Sequence, residues 1–294
     1  MKGTFKPVDI LSLAFLLLLS AIAVVFVGRV QSWELLIAKY ALLSLAVVVL
    51  ALYNVRSKTI MALKYVYAFL PVFIILVVFD SMADMIPWIW SRYIDDILIA
   101  IDHELFGVHP TVWLERIIHP VVTDILQIAY ISYYPMAVGL GIILLVKNKQ
   151  KEFDEAVFGI VLCFYLSYIG YILFPAIGPR FTLASLQSTD LQGSALTHAI
   201  QNTLNGLERT KTDAFPSGHT AIALMTFYYA RRTGERNVAY VLAPCVLALI
   251  FSTVYLRYHY VIDVIAGIVL TLLTIVIAPR LYRWLLDRSP GSSG

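Results

Sequence analysis

Long apolar runs, separated by short charged segments or segments bearing proline and glycine, dominate the chain. A helix that crosses lipid must pair its own backbone N–H and C=O groups, and needs about 20 mostly apolar residues to span. Eight stretches fit that pattern, at roughly 10 to 28, 35 to 53, 64 to 83, 121 to 146, 155 to 174, 216 to 231, 238 to 256 and 260 to 279. The sixth is the least marked. The first follows Lys2 and Lys6 and contains Ala21-Ile22-Ala23, a small-residue pattern also found where signal peptides are cleaved. Its apolar run continues through Val24, Val25, Phe26 and Val27, too long for a signal core, so it is read as an uncleaved helix.

Two segments between the runs exceed simple turns. The first, about 84 to 120, carries Trp88 and Trp90, then Tyr93, Ile94, Ile97, Leu98 and Ile101 at helical spacing against Asp95, Asp96, Asp102 and Glu104. That spacing predicts an amphipathic helix lying in the membrane interface, with an ordinary packed connecting helix as the alternative. The second, 175 to 215, holds Gly178-Pro179-Arg180 and a stretch rich in Ser, Thr, Gln and Asn, the kind of long loop that is often functional or mobile. There is no internal repeat and no linker to a soluble domain. The division expected is N-terminal transmembrane helices over 1–84, a catalytic membrane domain over 85–288, and a flexible tail or cloning remnant over 289–294.

Composition makes the membrane assignment firm: 60% of residues are hydrophobic, 14% are charged and the mean hydropathy is +0.80. Soluble domains average about 45–50% apolar and about 25% charged. The net charge of +3 is small and its cations are dispersed, without a basic amphipathic or zinc-knuckle pattern, which argues against a nucleic-acid partner. Cys163 and Cys245 lie inside apolar runs, which excludes a disulfide scaffold and a cysteine-rich metal site. With the N-terminus inside, the inner segments hold 14 of the 22 Lys and Arg residues, among them Lys2, Lys6, Lys58, Lys147, Lys149, Arg231 and Arg232. The positive-inside rule therefore puts both termini in the cytoplasm.

Against this scarcity of charge, three polar clusters sit at span ends, and the expected topology brings all of them to the outer face. They are Gly178-Pro179-Arg180, then Asp213-Ala-Phe-Pro216-Ser217-Gly218-His219, and Arg257-Tyr-His259-Tyr-Val-Ile-Asp263. Ionisable groups beside an apolar span are costly and are functional candidates. Pro216-Ser217-Gly218-His219 reads as a helix start with proline in the first turn, whose free N–H groups, with the Ser217 hydroxyl and a close approach at Gly218, could bind a phosphate. His259 and Asp263, four apart on one helical face, could be a nucleophile or base and the carboxylate that fixes its tautomer. Arg180 and Arg257 could clamp phosphate oxygens. The plain structural alternatives are a helix cap with an interfacial histidine and a structural His–Asp hydrogen bond.

These motifs resemble the type 2 phosphatidic acid phosphatase superfamily, whose membrane members share a helical core with vanadium haloperoxidases. The family pattern is Lys-x6-Arg-Pro, Pro-Ser-Gly-His and Ser-Arg-x5-His-x3-Asp. Pro216 to His219 match the second motif in full, and Ser252, His259 and Asp263 match the third, in which Thr253 stands in place of the arginine. In the first, Arg180 aligns, but Leu173 replaces the lysine and Pro179 precedes the arginine. The string from Asp102 through Gly107, Pro110 and Trp113 is similar to the branch containing inositol phosphorylceramide synthase, and His259-Tyr-Val-Ile-Asp263 is also similar to sphingomyelin synthases.

The resemblance implies an all-α integral membrane fold built on that core. It implies His259 as nucleophile, Asp263 as its orienter and His219 as acid, with Arg180, Ser217 and Gly218 on the phosphate; no metal or cofactor is implied. The missing cations suit a phosphodiester, so the expected activity is a lipid phosphotransferase moving a phosphorylated head group, phosphoinositol being one candidate, through a phosphohistidine. The substrate partner is then a lipid phosphate or phosphodiester drawn from the bilayer. A phosphatase acting on a phospholipid or polyprenyl phosphate stays open, as does a non-catalytic transporter or scaffold.

Overall fold

The computed structural model describes residues 4–56, 61–207 and 209–288. Lys2, Lys58 and the tail 289–294 lie outside the described residues. In chain order the helices are α1 (Pro7–Val25), α2 (Trp33–Arg56), α3 (Met61–Met82), α4 (Ile86–Ile89), α5 (Asp95–Phe106), α6 (Pro110–Trp113), α7 (Pro120–Ile131), α8 (Tyr133–Val146), α9 (Gln150–Leu173), α10 (Pro179–Thr182), α11 (Ala195–Leu207), α12 (Gly218–Arg232), α13 (Arg236–Tyr255) and α14 (Val261–Arg288). Apart from two short 3-10 turns and one isolated bridge, no other regular element occurs among the described residues.

Six segments are long and apolar enough to cross a membrane: α1, α2, α3 continued into α4, α9, α13 and α14. A seventh is the pair α7 and α8, bent by 44° around Ser132, which together fill the expected 121–146 span. The stretch expected as a further span at 216–231 is α12, a helix of only 15 residues. It packs against α8, α9, α13 and α14, burying Ala221, Ile222, Met225 and Tyr229. Hydropathy does not separate a helix facing lipid from one facing protein, so this element reads in sequence as a weak span.

α9 is the central post of the bundle. Two thirds of its apolar window is buried (67%), against 28% for α2. On one side α1, α2 and α3 share a core with α9 and α14, so the N-terminal helices and the remainder form one packed unit. Phe15 stacks on Tyr165 with ring centroids 4.1 Å apart, and the Tyr165 hydroxyl donates to Ser12 Oγ at 2.9 Å. On the other side α8, α12 and α13 pack through Leu140, Phe153, Met225 and Ala239.

The expected amphipathic helix forms as α5, with two of its four carboxylates turned inward. Asp95, Leu98 and Asp102 are buried, while Asp96 and Glu104 are exposed together with Ile97, Leu105 and Phe106. Asp95 and Asp102 serve the protein, and the exposed face is mixed.

Charge collects at both ends of the bundle. At one end Lys6 pairs with Asp154 at 2.8 Å, and Lys147 and Lys149 both reach Glu235 at 2.5 and 2.6 Å. Tyr282 of α14 meets Phe158 of α9 at this end, so the first and last described helices have their outer termini together. The hydrogen bond from Lys147, then that from Lys149, holds the Glu235 carboxyl below the usual carboxylate range. A depressed native pKa stabilises above the unfolded value, about 4.3, and the contribution is lost as pH falls through the native one. Glu235→Gln is therefore expected to cost about 1 kcal/mol at neutral pH, discounted because both lysines are partly exposed. Thermal unfolding in detergent checks this: the deficit should begin to shrink as pH falls below about 4.3 and vanish once pH is below the depressed native value, and equal midpoints at pH 7 would refute it.

Candidate functional site

At the other end of the bundle three connections meet: the segment after α9, the one before α12, and the turn from α13 to α14. The Trp90 indole N–H donates to the Ile172 carbonyl at 2.7 Å, taking up one of the carbonyls orphaned at the end of α9. Ala176 and Asp213 then pair as a short parallel bridge, and the Ala214 N–H donates to the Ala176 carbonyl at 3.0 Å. Gly178 has φ +86°, and a Cβ there would stand 2.6 Å from the Tyr258 carbonyl oxygen. Only glycine lets these segments touch. α10 follows directly and carries Arg180.

The α5 carboxylates fasten this end. Asp95 accepts the N–H groups of Ile177 and Gly178 at 3.0 and 2.9 Å and the Tyr260 hydroxyl at 2.9 Å. Asp102 accepts the N–H groups of Val261 and Ile262, both at 2.8 Å, capping the start of α14. Burial pushes the Asp102 carboxyl up, and these two bonds oppose it. Hydrogen bonds to a charged acceptor are worth about 1.5–3 kcal/mol each.

His259 is brought back over the bundle by a turn in which Tyr258 and His259 N–H both donate to the Thr253 carbonyl, at 2.9 and 3.0 Å. Thr253, aligned with the family's arginine, thus acts through its backbone. His259 Nδ1 lies 2.8 Å from the Ala214 carbonyl and 3.5 Å from Asp263 Oδ2, while Oδ2 also accepts the Tyr260 N–H at 2.8 Å. A carbonyl can only accept, so Nδ1 carries a proton, and in the neutral ring Nε2 is the nitrogen with the lone pair. That Nε2 is 3.4 Å from His219 Nδ1. Tyr130 and Tyr133, on either side of the α7–α8 bend, pack on the His219 ring at centroid distances of 4.6 and 4.4 Å. His219 Nε2 is buried with no hydrogen-bond partner among the described residues.

The two histidines open on a cleft of ≈ 50 Å³ lined by Arg180, Thr210, Lys211, Asp213 and Tyr258. A water needs roughly 10–15 Å³ by the same measure, so a phosphoryl group has room. The Arg180 guanidinium lies over the Tyr258 ring, 5.9 Å from its centroid. Among the described residues no group of three or more His, Cys, Asp or Glu side chains could hold a metal.

Of the residues expected from sequence, Arg180, His219, His259 and Asp263 converge here. Arg257 does not line the cleft. Its guanidinium is buried in an ion pair with Glu115 at 2.9 Å, bonded also to Gln187 Oε1 at 2.9 Å and to the Thr189 carbonyl. Pro216 precedes α12 instead of entering its first turn, and Ser217 is the N-cap, its hydroxyl oxygen accepting the Thr220 N–H at 3.3 Å. Gly218 is needed for packing: a Cβ there would run into the Tyr171 hydroxyl. Lys211, Tyr130 and Tyr133 were not singled out in sequence. Nothing in the sequence neighbours of Lys211 announces a cleft.

Residues 96–277 match the model of the PAP2 superfamily. The chain belongs to this superfamily. A curated relative, a PA-phosphatase related-family protein of Dictyostelium discoideum, is 24% identical over 217 residues, covering 66% of this chain and 37% of that protein. The chain thus spans well under half of the relative's length. No solved structure matches it. The superfamily match runs from α5 to α14 and leaves α1 to α3 outside.

Within this PAP2 site, Gly218→Ala is expected to cost about 1–3 kcal/mol through overpacking against Tyr171. Tyr171→Phe in the same chain should recover part of the loss, because it removes the obstructing hydroxyl. Thermal unfolding of the two single variants and the double variant reads the coupling, and purely additive effects would refute the contact.

Proposed function

We propose that this PAP2 protein is a lipid phosphotransferase working through a covalent phosphohistidine on His259. The carrying observation is the pair of ring nitrogens 3.4 Å apart at the edge of a cleft that also holds Arg180 and Lys211. His259 Nε2 attacks phosphorus, the bond to the leaving oxygen breaks, and His219 gives that oxygen a proton. In the second half an acceptor hydroxyl attacks phosphorus, the P–N bond breaks, and His219 takes the acceptor's proton. Ala214 and Asp263 hold the imidazole tautomer, while Arg180 and Lys211 balance charge on the non-bridging oxygens, where most of the catalysis in phosphoryl transfer lies. In this reading α4 to α14 lie in the catalytic domain (85–288), and the helices of 1–84 accompany it.

Two acceptors fit, each supported by its own observation. Transfer to a lipid alcohol rests on the resemblance of the segment from Asp102 to Trp113 to head-group transferases. Hydrolysis, the second reading, is favoured by Lys211, which adds a cation where the aligned lysine is lost at Leu173 and so accommodates a doubly charged monoester. A transporter or scaffold is the less economical reading, because the polar groups lie at helix ends instead of in broken helices at mid-bilayer. The cluster of Lys6, Lys147 and Lys149 at the opposite end supports cytoplasmic termini and a cleft on the outer face of a cell membrane.

His219→Ala should slow turnover of a lipid phosphate by about 10²–10⁴, and His259→Ala should abolish it, with both variants folded in detergent. Full activity in His259→Ala would overturn the mechanism. Mass spectrometry of the products separates the acceptors: free phosphate marks hydrolysis, a new phosphodiester lipid marks transfer.

Arg180→Ala and Arg257→Ala should behave differently. The first is expected to weaken inhibition by vanadate while leaving stability nearly unchanged. The second takes the cation from Glu115, which keeps its bonds from Ser188, and should cost about 1–3 kcal/mol of stability. Equal loss of vanadate binding in two equally stable variants would refute the distinction.

A further inference from the structure

A second, apolar cavity begins where the polar cleft ends. α3 and α8 pack on opposite flanks of α9 and barely meet each other. The gap between them is a groove of ≈ 150 Å³, three times the volume of the cleft. His219 and Asp213 line both spaces, so the groove and the cleft share a wall at the catalytic histidine.

The floor of the groove is one stripe of α9, running from Tyr171 through Phe164 and Val157 to Phe153. At 1.5 Å per residue that stripe is about 27 Å long, close to the thickness of a hydrocarbon core and nearly twice one leaflet. Its far end is closed where Phe69 of α3 meets Phe153 edge-on, with ring centroids 6.1 Å apart. Leu76 and Tyr134 stand on its rim and are 55% and 41% exposed, leaving a side opening toward the surrounding lipid.

We infer that this groove binds the hydrocarbon chain of the lipid substrate, with the phosphate in the cleft, and that the Phe69–Phe153 contact sets the longest chain accepted. The inference rests on the reading of the cleft as a lipid phosphate site. Continuity with that cleft selects the occupant: a chain attached to a group held beside His219 has this groove as its apolar continuation. One wall comes from α3, outside the segment that matches the superfamily. The N-terminal helices therefore contribute substrate selection, while the chemistry resides in α5 to α14.

The test compares lipid phosphates that share a head group and differ in chain length, with protein in lipid nanodiscs. Ala137→Phe fills the middle of the groove and should lower the long-chain to short-chain ratio of kcat/KM by about tenfold or more, with short-chain turnover retained. Phe69→Ala opens the far end and should raise the ratio for chains longer than the parent accepts. Unchanged ratios in both variants, with the parent active, would overturn the groove and leave the proposed function standing. A long-chain lipid phosphate carrying a diazirine at its chain terminus gives a readout independent of turnover. Crosslinks should fall on peptides containing Phe69, Gly141 or Phe153 and disappear in Ala137→Phe. Crosslinks confined to the outer faces of other helices would mean that bulk lipid alone is sampled, and would overturn the inference even if the parent turns over no lipid phosphate.

Discussion

Backbone amides near lipid must find partners inside the protein, and the end of the bundle that carries the cleft is where the chain most often leaves helical geometry. Two carboxylates resolve that conflict. Asp95 and Asp102, two turns apart on one face of α5, accept four backbone N–H groups from segments far away in sequence, Ile177 and Gly178 on one side and Val261 and Ile262 on the other. Without them the loop bearing Arg180 and the start of α14 would each expose unpaired donors. The placement of His259, through the turn that precedes α14, and of Arg180, through the bridge at Ala176, follows from this fastening.

The two ends of the molecule use their charges differently. At the end with Lys6 and Glu235 the pairs are partly solvated and hold helix ends together at modest energy. At the cleft end the Arg257 guanidinium is buried and the Glu115 side chain is only 9% exposed, so this pair is better shielded from water than the lysine pairs. Burial alone would raise the Glu115 carboxyl, yet hydrogen bonds from Ser188 and the Arg257 charge hold it below its ordinary range. An arginine in such an ion pair is a strut for the turn between α13 and α14, and the cations that line the cleft are Arg180 and Lys211.

What could be read from sequence divides along a physical line. Pro216 to His219 and His259 to Asp263 are contiguous strings, and their convergence follows once both sit at the same end of antiparallel spans. Helical class and membrane residence follow from apolar run length. The residues that were missed owe their position to tertiary geometry alone: Tyr130 and Tyr133 surround His219 because α7 and α8 bend at Ser132, and Lys211 enters the cleft because Ala176 and Asp213 pair. Arg257 departs from the expectation of a phosphate clamp for the same reason: its guanidinium turns to Glu115, Gln187 and Thr189, outside the cleft. The inward turn of Asp95 and Asp102 is hidden too: a period of apolar and acidic residues says which positions differ, and leaves open which of the carboxylates meet protein.

Because Asp95 and Asp102 lie two turns apart on one face of α5, the loop that carries Arg180 and the helix that carries Asp263 are both fastened to one short rigid element. A displacement of α5 would carry both together. The spacing between the Arg180 loop and the start of α14 is therefore set by a single helix, and not by the lengths of the connections that join them in sequence.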